Sequence, residues 1–297
     1  MSIFLQHTKP LMEVKRRFIP GEQWLYLKIY TGIKTADIIL EEVINPLTIS
    51  LLDDKSISHW FFIRYHDPQP HLRIRLYVNS FQNYYSILNK LTIALEKYIH
   101  SEEISNIVND TYVRELERYG EKTISYVETL FYHSSLFSLN FLWASDEEKI
   151  MVILFYIDQL LSQIGLSITQ KLQWITDFNA SFKEEFNADK NLNQQLDKKY
   201  RLFYPKFLDF LKSSETKEFR DLILENLHLS TDALKNICNS YDENSNPKVL
   251  QLFFQSIFHM AINRLFISQQ RLFEMIIYDY LHRYYKKLYY LQEKVLA

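Results

Sequence analysis

Two runs, His59–His66 (HWFFIRYH) and His71–Val78 (HLRIRLYV), constrain the fold of this chain more than any other feature. Both are dense in aromatic and β-branched residues, which suit a pleated, half-buried surface. The linking Asp67-Pro68-Gln69-Pro70 carries two fixed φ angles and reads as a turn. Together they predict a β-hairpin with a loop of about four residues. In the second run a period of two puts His71, Arg73, Arg75 and Tyr77 on one face, and Leu72, Ile74, Leu76 and Val78 on the other. The apolar set belongs against a core. The polar set presents two guanidinium groups roughly 7 Å apart, from a rise of about 3.3 Å per residue. Two arginines on a rigid strand suit a small dianion such as a dicarboxylate, because each fork can hold one carboxylate. The same pattern fits a solvated sheet face with cross-strand ion pairs.

The surroundings of the hairpin extend it into a sheet unit. Gln23–Tyr30 (QWLYLKIY) reads as a strand, Gly32 permits a turn, and Ile38, Ile39, Val43 and Ile44 then fall at helical spacing. Pro46 should stop or kink that helix, or open a second one at its first turn. An amphipathic helix fits Phe81–His100 and an extended stretch fits Ile104–Val113. The order β-α-β-β-α-β is that of a ferredoxin-like split unit. From Lys122 onward helical periodicity takes over. Ser145-Asp146-Glu147-Glu148 is a capping box opening one helix, and further helices are expected over about 168–186, 190–212, 216–228, 247–267 and 269–294. The expected fold is α+β: one domain over 1–297, with a small antiparallel sheet portion at 18–120 and a mostly helical portion at 121–297 packed on it.

Composition narrows the function classes. The 297 residues are 47% hydrophobic, ample for a core, and 34 Lys+Arg against 36 Asp+Glu leave a formal charge of −2. That balance argues against direct nucleic-acid binding by phosphate neutralisation. Cys238 is the single cysteine, which rules out an intrachain disulfide and a Cys-based zinc site and fits a reducing compartment. The first residues lack the pattern of a signal peptide. The longest uncharged windows, Thr129–Ser145 and Val249–Asn263, fall short of a membrane span. A cytoplasmic protein is expected. With four glycines and neither GxGxxG nor a Walker A sequence, no usual nucleotide loop is available. No HExxH and no GxSxG is present, so a metal-free, cofactor-free and non-covalent chemistry is expected.

Two more clusters could carry chemistry. Thr111–Gly120 (TYVRELERYG) packs Arg114, Glu115, Glu117 and Arg118 between two tyrosines, and fits an ion-pair network as well as a site. In SIFHMAINRLF, His259 and Asn263 stand i,i+4 on an otherwise apolar helix and project together. A lone histidine in such a helix reads as a hydrogen-bonded core residue, with a site residue as the alternative.

The three clusters together, WFFIRYHDPQPHLRIRL, TYVRELERYG with Glu128 and Phe131 after it, and HMAINRLF, resemble the lantibiotic dehydratase C-terminal region. This is the glutamate-elimination domain, also seen alone in thiopeptide-type bacteriocin biosynthesis proteins. The opening FIPGEQWLYLKIYTGIKTADIILEEVINPL is similar to the start of that domain, and the resemblance runs from about Phe18 to about Glu274.

The resemblance implies a chemistry. A larger glutamylating protein loads Glu from glutamyl-tRNA onto Ser and Thr of a precursor peptide, and the elimination domain expels glutamate to leave dehydroalanine or dehydrobutyrine. Arg73, Arg75 and Arg114 match the arginines of the family site and His259 its histidine, so these four are the expected catalytic residues. His71, Tyr112, Arg118, Asn263 and Arg264 are the expected substrate-binding ones. The expected role is that of a stand-alone elimination subunit of a split lanthipeptide dehydratase, partnered by a separate glutamylating subunit. The alternatives are a thiopeptide-type pyridine synthase, which joins two dehydroalanines and releases the leader, and a non-catalytic precursor-binding subunit. Two departures from the family stand out: Glu121 follows Gly120 where a second glycine is common, and His133-Ser134 replace Asp-Ser.

Overall fold

The computed structural model describes residues 14–241 and 246–296, so the reading of the amino terminus lies largely outside the described residues. A short strand β1 (Arg17–Phe18) leads into β2 (Trp24–Thr31), and Gly32 in extended backbone precedes helix α1 (Ile33–Ile39). A π turn at Leu40–Ile44 carries the chain into α2 (Asn45–Asp53). The Asn45 N–H reaches back to the Leu40 carbonyl just before Pro46, whose missing N–H could not continue an α ladder. Pro46 thus opens the second helical segment without breaking the rod.

The hairpin follows as β3 (Ile57–His66) and β4 (Pro70–Val78), then α3 (Tyr84–His100), β5 (Ile104–Asn109) and β6 (Tyr112–Val113). The main sheet has the order β3-β4-β2-β5, antiparallel throughout, as a ferredoxin-like unit requires. The expected continuous stretch Ile104–Val113 is divided. Asp110 gives its N–H to the Tyr26 carbonyl, accepts the Thr111 N–H on its side chain and pairs with Lys28. That local turn sends β6 away from the sheet to pair with β1, Phe18 opposite Tyr112.

The remainder is helical: α4 (Leu116–Tyr119), α5 (Ile124–Leu139), α6 (Asp146–Gln163), α7 (Ile168–Glu185), α8 (Lys190–Lys212), α9 (Lys217–Leu229), α10 (Thr231–Asn239), α11 (Pro247–Leu265) and α12 (Gln270–Leu296). The Ser145–Glu148 capping box is formed in both directions. The short α10 carries too few turns to stand out by periodicity. The fold is α+β. Among the described residues no helix is long and apolar enough to cross a membrane.

The alternation on β4 is realised. Leu72, Ile74, Leu76 and Val78 are fully buried with Leu25, Leu27 and Ile29 under α1, α2 and α3, each burial stabilising by about 1.5–3 kcal/mol. The opposite face, with Trp24, Tyr26 and Phe61, joins the core of the helical part. Strand β3 is the sheet's edge on the helical side, and side chains occupy its hydrogen-bonding groups. Ser135 Oγ accepts the Phe62 N–H at 3.2 Å, and Arg264 Nε donates to the Phe62 carbonyl at 2.9 Å. Asn263 closes a two-way pair with Arg64: Oδ1 accepts its N–H and Nδ2 donates to its carbonyl, both at 2.9 Å.

Asn263→Ala should therefore lower stability by about 1–3 kcal/mol for each Arg64 backbone group left unsatisfied. Urea unfolding checks this; an unchanged midpoint would mean that water replaces the amide without cost.

Candidate active site

The residues proposed from the strand pattern share one sheet face but not one environment. His71 is buried against Tyr30 and Tyr65, with Nδ1 on the Gln69 carbonyl at 2.9 Å. Burial holds its pKa below the usual histidine value, opposed by that carbonyl and reinforced by Arg73 and Lys28. Arg73 donates from Nε to His71 Nε2 at 3.1 Å and lies over the Tyr65 ring at 3.4 Å, on the open half of the face.

Arg75 faces the covered half. Its guanidinium rests on Tyr26, Tyr112 and Phe61 at 4.4, 4.9 and 5.3 Å, and its Nε and Nη1 find no hydrogen-bond partner. It is 8% exposed and makes no ion pair among the described residues. Beside it is a cavity of about 30 Å³, walled by Tyr112, Glu115, Tyr119, Phe131 and Met260 among others.

Arg114 has a different setting. Its Nε and Nη2 grip both oxygens of Glu128 at 2.8 and 2.6 Å, Tyr112 donates to the same carboxylate at 2.9 Å, and Nη1 donates to the Lys15 carbonyl at 3.1 Å. Burial opposes the Arg114 charge, yet the Glu128 contact outweighs it and its pKa is raised. Burial, with the Glu128 charge behind it, lifts the Tyr112 hydroxyl well above the usual range. Glu128 thus ties the segment 110–120 down onto α5.

His259 opens into a second space, a groove of about 280 Å³ lined by Arg118, Gln255, Ser256, His259, Arg271 and Glu274. Its Nδ1 bonds Glu274 Oε1 at 2.6 Å, and Glu274 is fully buried. With Nδ1–H donated to a carboxylate, Nε2 is the nitrogen left to accept a proton. Arg118 pairs with Glu115 at 3.2 Å. Chain-adjacent residues line the groove and the Arg75 cavity: Arg118 and His259 line the first, Tyr119 and Met260 the second.

Asn263 turns its amide to β3, and Arg264 turns its Nε there while Nη1 bonds within the helical part and Nη2 finds no partner. Arg264 is fully buried over Phe131, bonded to the Phe62 and Met260 carbonyls, and burial brings its pKa down to about 9. Gly120, at φ +74°, ends α4 where an added Cβ would lie 2.8 Å from Thr123 Oγ1. Only this first position needs glycine, and the exposed Glu121 after it carries no positive φ. His133 bonds Ser230 Oγ at 2.8 Å and lines neither space.

Sequence reasoning left out Glu274 and Arg271, which complete the groove. They follow His259 by 15 and 12 residues, across the break between α11 and α12, and no local spacing links them to it.

With the fold and these settings in view, comparison with known proteins gives the class to which this α+β chain belongs. The model of the lantibiotic biosynthesis dehydratase C-terminal family matches residues 24–285, so the chain belongs to that family. It is 27% identical to the nisin biosynthesis protein NisB of Lactococcus lactis subsp. lactis over 294 residues, covering 90% of this chain and 28% of that protein. Among solved structures, the tRNA-dependent lantibiotic dehydratase MibB from Microbispora sp. 107891 shares the fold with a TM-score of 0.65 at 18% identity, over 89% of this chain and 28% of that one. The pyridine synthase TbtD from thiomuracin biosynthesis does so with a TM-score of 0.63 at 10% identity, over 89% of this chain and 99% of that one.

Two outcomes are expected. Arg114→Ala strands the buried Glu128 charge and should cost about 3–5 kcal/mol, whereas Arg118→Ala, at an exposed pair, should stay within about ±0.5 kcal/mol. Denaturant unfolding of both variants separates an anchoring arginine from a groove arginine.

The second concerns pH. His59 packs on Tyr77 and Trp24, and burial, with the Arg114 and His133 charges, lowers its pKa to about 4. The unfolded chain binds this proton first, so the stabilisation is complete above pH of about 6.5 and is lost as pH falls toward 4. His59→Phe should reduce the loss of urea stability across that window. His71 and His133 shift in the same direction, so a residual slope should remain.

Proposed function

We propose that this chain is a glutamate-eliminating lyase acting on glutamylated Ser and Thr of a precursor peptide. The observation that carries this reading is Arg75, a buried guanidinium with unpartnered donors and no ion pair among the described residues, in a chain whose open groove holds the His259–Glu274 pair. Esterification converts a hydroxyl into a carboxylate leaving group with a pKa of about 4 once free. His259 Nε2 takes the proton from Cα, the electron pair forms the Cα–Cβ double bond, and the Cβ–O bond breaks to release glutamate. Arg75 and Arg118 supply positive charge where carboxylate and enolate charge develop, and Glu274 steadies the imidazolium that forms. In this reading Arg114 positions the segment that carries Arg118, and Arg73 meets the peptide on the open half of the sheet. Glutamylation from glutamyl-tRNA falls to residues other than these 297, which correspond to 28% of the length of NisB.

A pyridine synthase is the second reading, supported by the likeness to TbtD along nearly its whole length. An acid-free buried arginine favours elimination, because a dehydroalanine substrate offers it no carboxylate.

A synthetic precursor bearing glutamyl-Ser or glutamyl-Thr should lose glutamate on incubation with the purified protein, each acceptor ending one water lighter than Ser or Thr. His259→Ala should slow this by about 10²–10⁴-fold, and Arg75→Met should stop it in a folded protein. Mass spectra showing intact esters with the unaltered protein would remove the reading.

A further inference from the structure

We infer that a third space, where the hairpin tip meets the start of α1 and the loop from α11 to α12, binds a peptide carboxylate, with Arg64 and the amino end of α12 as its donors. The pocket measures about 300 Å³, the scale of a small-ligand site. Ile33, Ala36, Leu72 and Ile267 give it apolar walls, and its polar lining includes Arg64, Ser268 and Gln270. None of the residues given a part in elimination lines it, so the inference stands apart from that reading.

Arg64 stands opposite Leu72 across the hairpin, which puts its side chain on the sheet face away from Arg73 and Arg75. It is 6% exposed. Nε donates to the Arg264 carbonyl at 2.9 Å and Nη2 to Asp37. Nη1 makes no hydrogen bond among the described residues, yet it is not sealed in by protein atoms as the unpartnered donors of Arg75 are. The space beside it is this pocket, which Arg64 lines. The surrounding charge also favours an anion. Arg64 and Lys149 are both buried and share one buried acid, Asp37, whose charge reaches each of them. Lys149 itself donates to the Leu142 carbonyl.

The first turn of α12 supplies the other donors. The Phe273 N–H bonds the Gln269 carbonyl, whereas those of Gln270, Arg271 and Leu272 have no partner among the described residues. Such groups point out of a helix's amino end and hold anions there, and Ser268, Gln269 and Gln270 bring that end to the pocket. Among the described residues no Asp or Glu lines the space. A free amino acid would bring an ammonium with no acid to meet it. The side-chain or terminal carboxylate of a peptide brings none.

The test titrates the whole protein with capped amino acids, followed by the NMR signals of the ligand. N-acetylglutamate α-methylamide offers a side-chain carboxylate and N-acetylvaline a terminal one. At least one should bind about tenfold or more tightly than its neutral amide, the scale of one charge-assisted hydrogen bond, and the one preferred identifies the source. Ser268→Asp, which sets a competing carboxylate at the amino end of α12, should weaken that binding about tenfold, as should Arg64→Lys. Where Arg64→Lys does not fold, Ser268→Asp decides. Equal binding of acids and amides, or of L-valine and N-acetylvaline, overturns the inference. So does carboxylate binding that survives in folded Ser268→Asp, or that Arg75→Met alone abolishes.

Discussion

The outer edge of β3 is the joint on which the rest of the molecule depends. An edge strand exposes a row of N–H and C=O groups that must meet water or another partner. Here Ser135 from α5 and Asn263 and Arg264 from α11 meet them. The helical part is thereby registered against the sheet residue by residue, not merely pressed on it by apolar contact. Arg64 adds a second link, since its Nε donates to the Arg264 carbonyl and its Nη2 to Asp37 on α1. Because Asn263 and Arg264 share a helix with His259, the same contacts that seal the sheet edge fix where the imidazole stands.

This division of labour explains why residues that look alike in the sequence differ in the structure. His259 and Asn263 lie one turn apart, a spacing that predicts that they project together. They do share a side of α11, yet one faces the groove and the other is spent on backbone. Arg114 and Arg118 are likewise one turn apart in number, but the first lies just before α4 and turns inward to Glu128, while the second lies within α4 and turns out to the groove. Charge patterning showed that the segment was rich in ion pairs. Which arginine closes a pair and which lines a space depends on where the chain leaves the sheet at Asp110.

The hairpin, the order of the strands and the alternation on β4 were legible because period-two patterning and turn chemistry are local properties. The long amphipathic helices were legible for the same reason. Three things were not. The split of Ile104–Val113 depends on Asp110 meeting Lys28 from another strand. The π turn before Pro46 needs a register change that no propensity predicts. The groove needs Glu274 and Arg271 brought to His259 by the packing of α12 on α11, a tertiary event with no sequence spacing. The arginines of β4 could be placed on one face but not into their separate settings, because the covering of half that face comes from β1, β6 and α5.

The contrast between Arg75 and Arg114 shows how a buried cation can be kept either closed or open. A carboxylate such as Glu128 compensates Arg114 fully, and any incoming anion would have to displace it. Aromatic faces compensate Arg75 differently. Cation–π attraction in a desolvated site is worth about 2 kcal/mol or more, and three rings lie within 5.3 Å of its guanidinium. The rings offset part of the desolvation cost yet leave Nε and Nη1 without a hydrogen-bond partner, so these donors are not already committed to an acid. Tyr112 belongs to both arrangements, with its ring under Arg75 and its hydroxyl on the Glu128 that holds Arg114. The closed pair thereby holds in place one wall of the open one, so the two arginines are mechanically coupled through one tyrosine although only Arg75 has unpartnered donors.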